Sequence, residues 1–257
     1  MADYNKYSSG HWSTESDSKT SLNKYLNMYE DVYNNTNLRR ILNMVNDDKQ
    51  LKICDYGGGV GIVAVELAKK GHKVTLVDGS SDALKAADLY AKKENVNINT
   101  LCAITLDQHE YVDYFDIIIS KDLIEHIDDD LSIFTNFYSS LKKDGTLILT
   151  TQNSNSFNYL IEGGLRKIVH PSVKWMGWDR THVRFYTPKA LETLAKKVSF
   201  HSCQFDSGYI FPYKLASRLF FWTNPRDVNF LYRIDKFLMK RKIFNKLGWN
   251  IMMICKK

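Results

Sequence analysis

The sequence predicts an α/β fold built on a doubly wound, mostly parallel sheet, and the stretch from Leu51 to Ser80 carries this prediction. It contains a short apolar strand ending at Asp55, a glycine turn, a helix pattern, and a second apolar strand ending at Asp78. Strand and helix patterns continue to alternate downstream, as they do in βαβ units. With 257 residues and 44% hydrophobic content, the chain can bury a full core.

The glycine turn and the acid that follows it predict a site for a nucleoside-containing cofactor. Gly57, Gly59 and Gly61 suit a turn whose positions need positive φ and whose backbone must approach a ligand closely. An acid at the end of the second strand can accept hydrogen bonds from ribose hydroxyls. This role falls to Asp78, and we expect the adjoining Gly79 and Ser80 to line the same site.

Two other nucleotide sites are tested against the same turn. A phosphate loop needs Lys and Ser or Thr after its last glycine, whereas Gly61 is followed by Ile62. A dinucleotide site fits by letter, because residues 59–64 read G-x-G-x-x-A. The negative charge of Asp55, however, would repel a pyrophosphate, whereas it would attract a cationic ligand. An NAD(P)-dependent oxidoreductase therefore remains the weaker alternative.

Further candidates for the cofactor site follow the next two strands. A strand is predicted from Ile98 to Leu106, and Asp107 after it can accept from the exocyclic amine of adenine, with Gln108 beside it. An Asp at this place is equally common as a turn former. Ser120 and Lys121 end the next apolar strand, at the edge where ligands bind in open α/β sheets.

Three ordered motifs together resemble a known enzyme family. They are Asp55-x-Gly57-x-Gly59-x-Gly61, the segment from Ser120 to Ile127 with its Glu125-His126 pair, and His182-Val183-Arg184-Phe185-Tyr186-Thr187-Pro188. The chain is similar to class I S-adenosylmethionine (SAM)-dependent methyltransferases of the ubiquinone type and of the sugar and natural-product O- and N-methyltransferase type. The resemblance implies SAM as cofactor and a seven-stranded Rossmann-like sheet whose last strand is antiparallel. We expect this last strand at 250–255.

The resemblance also assigns the reaction and the residues that assist it. Methyl transfer from a sulfonium needs mainly alignment and desolvation, and a hydroxyl acceptor gains from a positioned base. His182 is the first candidate for that base and His126 the second, since histidine suits proton transfer near neutral pH. An amine acceptor is the alternative, as is a SAM-binding scaffold without activity. The sequence shows no compact set of metal ligands, so no metal is predicted.

The remaining segments are expected to cover the site. Residues 1–49 are predicted to form a helical N-terminal cap or lid, and residues 50–257 the SAM-binding domain. Insertions at 153–186 and 207–248 follow strand ends and are expected to build an acceptor-site cap. The expected acceptor contacts are Tyr25, Asn153, Trp178 and Arg184. The acceptor is predicted to be a small molecule or glycan, and the basic, aromatic segment 208–248 is a candidate for peripheral membrane contact.

Composition limits the remaining classes of function. The net charge of +6 is mild, and no nucleic-acid-binding motif accompanies it. Neither a membrane span nor a signal peptide is expected, so a cytoplasmic location is predicted. The four cysteines are isolated, and the sequence therefore predicts buried thiols instead of a disulfide framework or zinc site.

Overall fold

The computed structural model of the chain describes residues 22–23, 26–27, 32–169, 172, 175, 181–211, 229–239, 241 and 244–257. These residues form a seven-stranded sheet whose strands alternate with helices. The predicted α/β class, with seven strands and an antiparallel last strand, is confirmed.

The strands and helices are numbered here in chain order. Strands β1 to β7 are Lys52–Tyr56, Lys73–Asp78, Asn99–Cys102, Phe115–Lys121, Leu141–Gln152, Ser202–Gly208 and Asn250–Lys256. Helices α1 to α7 are Val32–Met44, Ile62–Lys69, Ser81–Lys93, Asp130–Ser140, Gly164–Val169, Pro188–Lys197 and Asn229–Met239. A 3-10 turn, Ile124–His126, follows β4, and a π-helical turn, Tyr159–Gly163, precedes α5.

The strand order explains where a ligand can bind. The sheet has the order β3-β2-β1-β4-β5-β7-β6, and β1 pairs in parallel with both β2 and β4. In this register Asp55 lies between Leu76 of β2 and Ile119 of β4. The chain order reverses between β1 and β4, and open α/β sheets bind ligands outside the carboxyl ends of the strands at such a point. The glycine turn leaves β1 at this edge.

Two helices begin at capping residues. The Ser80 hydroxyl accepts a hydrogen bond of 3.3 Å from the Ala83 amide at the start of α3. The Thr187 hydroxyl accepts one of 3.1 Å from the Ala190 amide at the start of α6, whose first residue is Pro188. Such caps satisfy amides that have no partner within the helix. The sequence patterns predict helices from about Ser81 to Lys93 and from Pro188 to Lys197, and the start of each is confirmed.

Two strand boundaries differ from the prediction by four residues or more. Strand β3 ends at Cys102, four residues before the predicted end at Leu106. The sequence predicts a turn at 143–145 before a strand that starts at Thr146, whereas strand β5 begins at Leu141 and includes Asp144, whose φ is 62°. An Asp tolerates this left-handed conformation better than most residues do.

The described chain divides into two compact units. The first contains the described residues up to Lys121, together with Leu131–Ile148 and Lys256–Lys257; the second contains Asp122–Asp130 and the described residues of Leu149–Cys255. The predicted cap over residues 1–49 is not one of these units, because its helix α1 belongs to the first unit and packs against α2.

None of the described helices combines the length and apolar character needed to cross a membrane.

A disulfide corrects one prediction from the sequence. Cys203 of β6 and Cys255 of β7 are bonded, with their Cα atoms 4.3 Å apart. The prediction of thiols at these two positions was wrong, because only the neighbouring positions of β6 and β7 in the sheet bring together residues 52 positions apart in sequence. Cys54 and Cys102 are free thiols, as predicted, although Cys102 is exposed.

The disulfide is expected to stabilise the fold measurably. In the chain-entropy model, opening a loop that spans 52 positions costs about 4 kcal/mol of unfolding free energy. Urea unfolding of Cys203→Ser should show this loss, whereas Cys102→Ser serves as the control that removes an exposed free thiol. Thiol titration of the denatured, unreduced protein should count the two thiols of Cys54 and Cys102. A count of four would contradict the bond.

Candidate functional site

The glycine turn adopts a backbone conformation that other residues would adopt only under strain. Gly57, Gly59 and Gly61 have φ angles of 72°, 56° and 74°. Gly58 has an ordinary φ, but a Cβ atom there would overlap the carboxylate of Asp55. Gly58 is a requirement of the turn that the spacing of the other glycines did not indicate. The turn therefore exposes backbone, without side chains, at the end of β1.

Asp55 supports the turn from inside the protein. Its side chain is fully buried, and Oδ2 accepts a hydrogen bond of 3.0 Å from the Ala64 amide in the first turn of α2. Burial raises the pKa of Asp55 to about 7, the hydrogen bond from Ala64 and the charge of Lys121 lower it, and the charge of Asp78 raises it. This carboxylate therefore positions α2 and the glycine turn.

Asp78 joins the turn to the end of β2. Its Oδ2 accepts a hydrogen bond of 2.9 Å from the Gly59 amide, and its Oδ1 accepts one of 2.9 Å from the Ser80 amide. Burial raises the pKa of Asp78, and the hydrogen bonds from Ser80 and Gly59 lower it. The side chain is half-buried. Because a carboxylate has about four acceptor sites, two remain for donors of a ligand.

The loop after β3 completes this edge with a residue that the sequence did not indicate. The Ala103 amide donates to the Asp78 carbonyl at 3.1 Å. Ile104 lies close to Gly79, since a Cβ atom on that glycine would be 3.6 Å from Ile104 Cγ1. Ile104 therefore adds an apolar side chain to this edge beside Gly79.

Asp107 and Gln108 lie in a turn beyond this loop. The Asp107 carboxylate accepts a hydrogen bond of 2.7 Å from the His109 amide, and the Gln108 amide donates to the Leu106 carbonyl at 3.2 Å. Both residues are exposed. Because β3 ends at Cys102, Asp107 does not directly follow the strand, and its placement matches the turn-forming alternative.

Ser120 and Lys121 end β4 beside Asp55. Ser120 is fully buried, and its hydroxyl oxygen has no hydrogen-bond partner among the described residues. Lys121 is half-buried, and its charge acts on Asp55. The structure thus places Asp55, Asp78, the glycine turn and Lys121 at one edge of the first unit.

The second unit contains a cluster of a carboxylate and two imidazoles. One ligand atom from each of Glu125, His126 and His182 lies within 4.8 Å of the others. The two imidazole centroids are 4.8 Å apart, and the Thr181 hydroxyl is 3.0 Å from His126 Nδ1. Glu125 is fully buried and accepts a hydrogen bond of 2.8 Å from the Thr151 hydroxyl. The prediction that no compact ligand set exists was wrong, because residue 182 is distant in sequence.

The loop that carries His182 is held by backbone and charged contacts. The Val183 amide donates to the Glu125 carbonyl at 2.9 Å. Arg184 forms an ion pair of 2.7 Å with Asp130, and the Tyr186 hydroxyl donates to the same carboxylate at 2.8 Å. Arg184 therefore anchors the loop, and an acceptor contact by this residue stays a prediction.

The other expected acceptor contacts have different outcomes. Asn153 is fully buried; its amide nitrogen donates to the carbonyls of Lys246 and Gly248, and its oxygen accepts from the Asn155 amide. Both ends of this side chain are used within the protein, so it ties chain segments together and does not face an acceptor. Tyr25 and Trp178 lie outside the described residues.

The raised pKa of Asp55 gives a pH dependence that can be tested. The pKa is about 7 in the folded protein and about 3.9 in the unfolded chain, so the stability that Asp55 contributes is complete below pH 4 and is lost as the pH rises through 7. Relative to the native protein, Asp55→Asn should therefore gain unfolding free energy on the order of 4 kcal/mol between pH 4 and pH 8. Urea unfolding measures the gain, with exposed Asp82→Asn as control. Equal behaviour of both variants would contradict the assignment.

Comparison with known proteins is consistent with this geometry. A family model described as a methyltransferase domain matches residues 29–202. The ubiquinone biosynthesis O-methyltransferase of Rickettsia prowazekii is 27% identical over 203 residues, which are 77% of this chain and 77% of that protein. That of Rickettsia conorii is 31% identical over 118 residues, 46% of this chain and 40% of that protein.

Solved structures share the fold at lower identity. A SAM-dependent methyltransferase of Thermotoga maritima superposes with a TM-score of 0.58 at 17% identity, over 92% of this chain and 95% of that chain. Phosphoethanolamine N-methyltransferase 2 of Haemonchus contortus superposes with a TM-score of 0.56 at 20% identity, over 87% of this chain and 52% of that chain. Because the family model covers more than half of the sequence, the chain belongs to the methyltransferase domain family and is a SAM-dependent methyltransferase.

Proposed function

We propose that this methyltransferase transfers its methyl group to a hydroxyl group of a small molecule or glycan. The observation that carries the proposal is the pair of imidazoles, His126 and His182, held 4.8 Å apart beside the buried carboxylate of Glu125. A hydroxyl is a poor nucleophile until its proton is removed, and a positioned histidine accelerates such a reaction by about 100- to 10,000-fold. A cluster of this kind suits an oxygen acceptor.

The residues of the glycine edge fit the cofactor. When bound, SAM would supply a methyl group on a sulfonium cation, and transfer of this group to a nucleophile would release S-adenosylhomocysteine. Gly57, Gly59 and Gly61 offer backbone without side chains, and Asp78 has acceptor capacity for ribose hydroxyls. Gly79 and Ile104 offer an apolar surface for adenine. Lys121 and Asp55 carry charge near the same edge.

The proposed roles of the two histidines differ. His126 is held through Nδ1 by the Thr181 hydroxyl. His182 is half-buried in a loop that is held by the backbone amide of Val183 and by the side chain of Arg184. The His182 ring packs edge-on against Phe185, with ring centroids 5.5 Å apart. We assign to His182 the transfer of the proton from the acceptor hydroxyl as the carbon–oxygen bond forms, and to His126 the orientation of the acceptor.

The names of the sequence relatives from Rickettsia support the oxygen acceptor over the amine. The relatives from Rickettsia are named O-methyltransferases and match up to three quarters of the chain. Phosphoethanolamine N-methyltransferase 2 shares the fold at 20% identity, a level that supports the architecture alone. Transfer to an amino sugar or small amine is the alternative, and it needs no base once the amine is neutral.

A second role for the same cluster is a divalent metal site. One carboxylate and two imidazoles are a donor set that zinc and iron enzymes use. Two ligand atoms on one ion at about 2.1 Å can be at most about 4.2 Å apart. The cluster extends to 4.8 Å, so Glu125, His126 and His182 would have to approach one another to bind an ion. This separation favours a general-base role for the cluster over a metal site.

The role of Asp78 in cofactor binding gives a prediction for affinity. Asp78→Ala removes a charged acceptor, and each such hydrogen bond contributes about 1.5 to 3 kcal/mol, so the Kd of S-adenosylhomocysteine should rise at least about 10-fold. Calorimetry measures the change, with Asp82→Ala as control because Asp82 is an exposed acid in the first turn of the next helix. Gly57→Val should weaken binding as much. Unchanged affinity with an intact fold would remove Asp78 from the site.

The proposed function is tested through His182. The native protein, offered a panel of phenols, catechols, sugars and amines, should release S-adenosylhomocysteine with hydroxylated acceptors. His182→Gln should lower kcat by about 100-fold or more and leave S-adenosylhomocysteine affinity unchanged. His201→Gln, at an exposed site before β6, is the control.

Two results would redirect this interpretation. Turnover with amines only, unaffected by His182→Gln, would favour the alternative acceptor. Activity lost on treatment with a chelator and restored by a divalent ion, together with a bound metal that Glu125→Gln removes, would favour the metal.

A further inference from the structure

One helical stretch after β5 turns its apolar face outwards. Large hydrophobic side chains recur there at the spacing of one helix face, with exposed fractions from 39% to 79%. We call them the apolar stripe: Phe157, Leu160, Ile161, Leu165, Ile168 and Val169. They make up more than half of the exposed large hydrophobic side chains among the described residues. A surface helix normally buries such a face, and a contiguous exposed patch marks an interaction surface.

The opposite face of this stretch is already packed. Tyr159 stacks on Trp175 with ring centroids 5.5 Å apart and meets Phe185 edge-on at 5.2 Å. A Cβ atom on Gly163 would lie 2.8 Å from the Trp175 ring, so the backbone sits directly on the indole. Glu162 on the same face is buried. Rotating the helix to bury the stripe would expose these contacts, so the stripe stays at the surface.

The charge around the stripe has one sign. Arg166 and Lys167 are exposed on the same helical stretch. Arg166 lies on the side that packs on Trp175, with its guanidinium 5.8 Å from that ring centroid. Between residues 153 and 175 the sequence contains a single acidic residue, Glu162, and this side chain is buried. The surface therefore combines apolar side chains with cations and presents no anion from this part of the sequence.

We propose that the apolar stripe binds this chain to the surface of an anionic phospholipid bilayer. The apolar side chains would insert at the boundary between headgroups and acyl chains, and Arg166 and Lys167 would contact the lipid phosphates. Interfacial helices bind by this combination of apolar area and basic charge. A second copy of the chain fits less well, because a two-fold contact through the stripe would bring like charges together. The stripe belongs to residues 157–169 of the sequence, outside segment 208–248, and the inference goes beyond the proposed methyl transfer.

Co-sedimentation of the full chain with vesicles tests the proposal. Vesicles of phosphatidylcholine and phosphatidylglycerol in a three-to-one ratio should bind the protein at about 50 mM salt and release most of it at about 500 mM, since screening shortens the range of the charges. Vesicles of phosphatidylcholine alone should bind it weakly. Each basic residue contributes about 5-fold to partitioning, so the Arg166→Gln, Lys167→Gln double variant should bind about 25-fold more weakly.

The apolar contribution is tested with Leu160→Asp and Ile168→Asp, each of which should lower partitioning by at least about 10-fold. Val112→Asp changes a residue that is 51% exposed outside the stripe, and Lys92→Gln with Lys93→Gln removes two neighbouring exposed charges from α3. These controls should bind vesicles as the native protein does. Thermal unfolding confirms that each variant is folded.

Three outcomes would overturn the proposal. The first is no binding to anionic vesicles at low salt. The second is equal loss in the stripe variants and their controls, which would assign binding to general charge or to another segment. The third is a dimer in sedimentation velocity that Leu160→Asp and Ile168→Asp dissociate, which would make a second copy the occupant of the stripe.

Discussion

The cofactor edge depends on one carboxylate that holds two backbone segments. Asp78 ends β2, and its two oxygens accept from the amides of Gly59 and Ser80. One bond ties down the glycine turn after β1, and the other ties down the start of α3. The turn glycines lie at positive φ, and this carboxylate restrains the turn together with the backbone bonds from Gly57 to Val77 and from Gly61 to Gly58. Its burial raises its pKa. The backbone at this edge is therefore preorganised before a ligand binds.

The histidine cluster depends on a different kind of restraint. Glu125 is fixed through its side chain by Thr151 and accepts the Val183 amide at its backbone carbonyl. The segment after β4 thereby holds the loop before α6, and the Arg184–Asp130 ion pair holds it a second time. Imidazoles from two distant segments are brought together by these bonds and by the hydrogen bond between the Thr181 hydroxyl and His126 Nδ1. Proton transfer needs such a fixed geometry.

Local patterns predicted much of this molecule because they reflect local physics. The span of α3 and the start of α6 follow from caps and helical spacing, and they were predicted to the residue. The spacing of the glycines predicted the turn, because the turn requires positive φ at these positions and glycine adopts it most readily. The length of β3 was overestimated because an apolar run does not show where strand pairing stops, so Asp107 lies in a turn beyond the strand and not directly after it.

The sequence by itself determined the α/β class, the glycine edge and the family, because each depends on residues near one another in the chain. Only the tertiary structure decided which distant side chains meet. It joined His182 to Glu125 and bonded Cys203 to Cys255 across adjacent strands. It also buried Asn153 while leaving the apolar stripe exposed, the opposite of what residue polarity predicts. Contacts between distant segments follow from strand order and loop path, which no local pattern records.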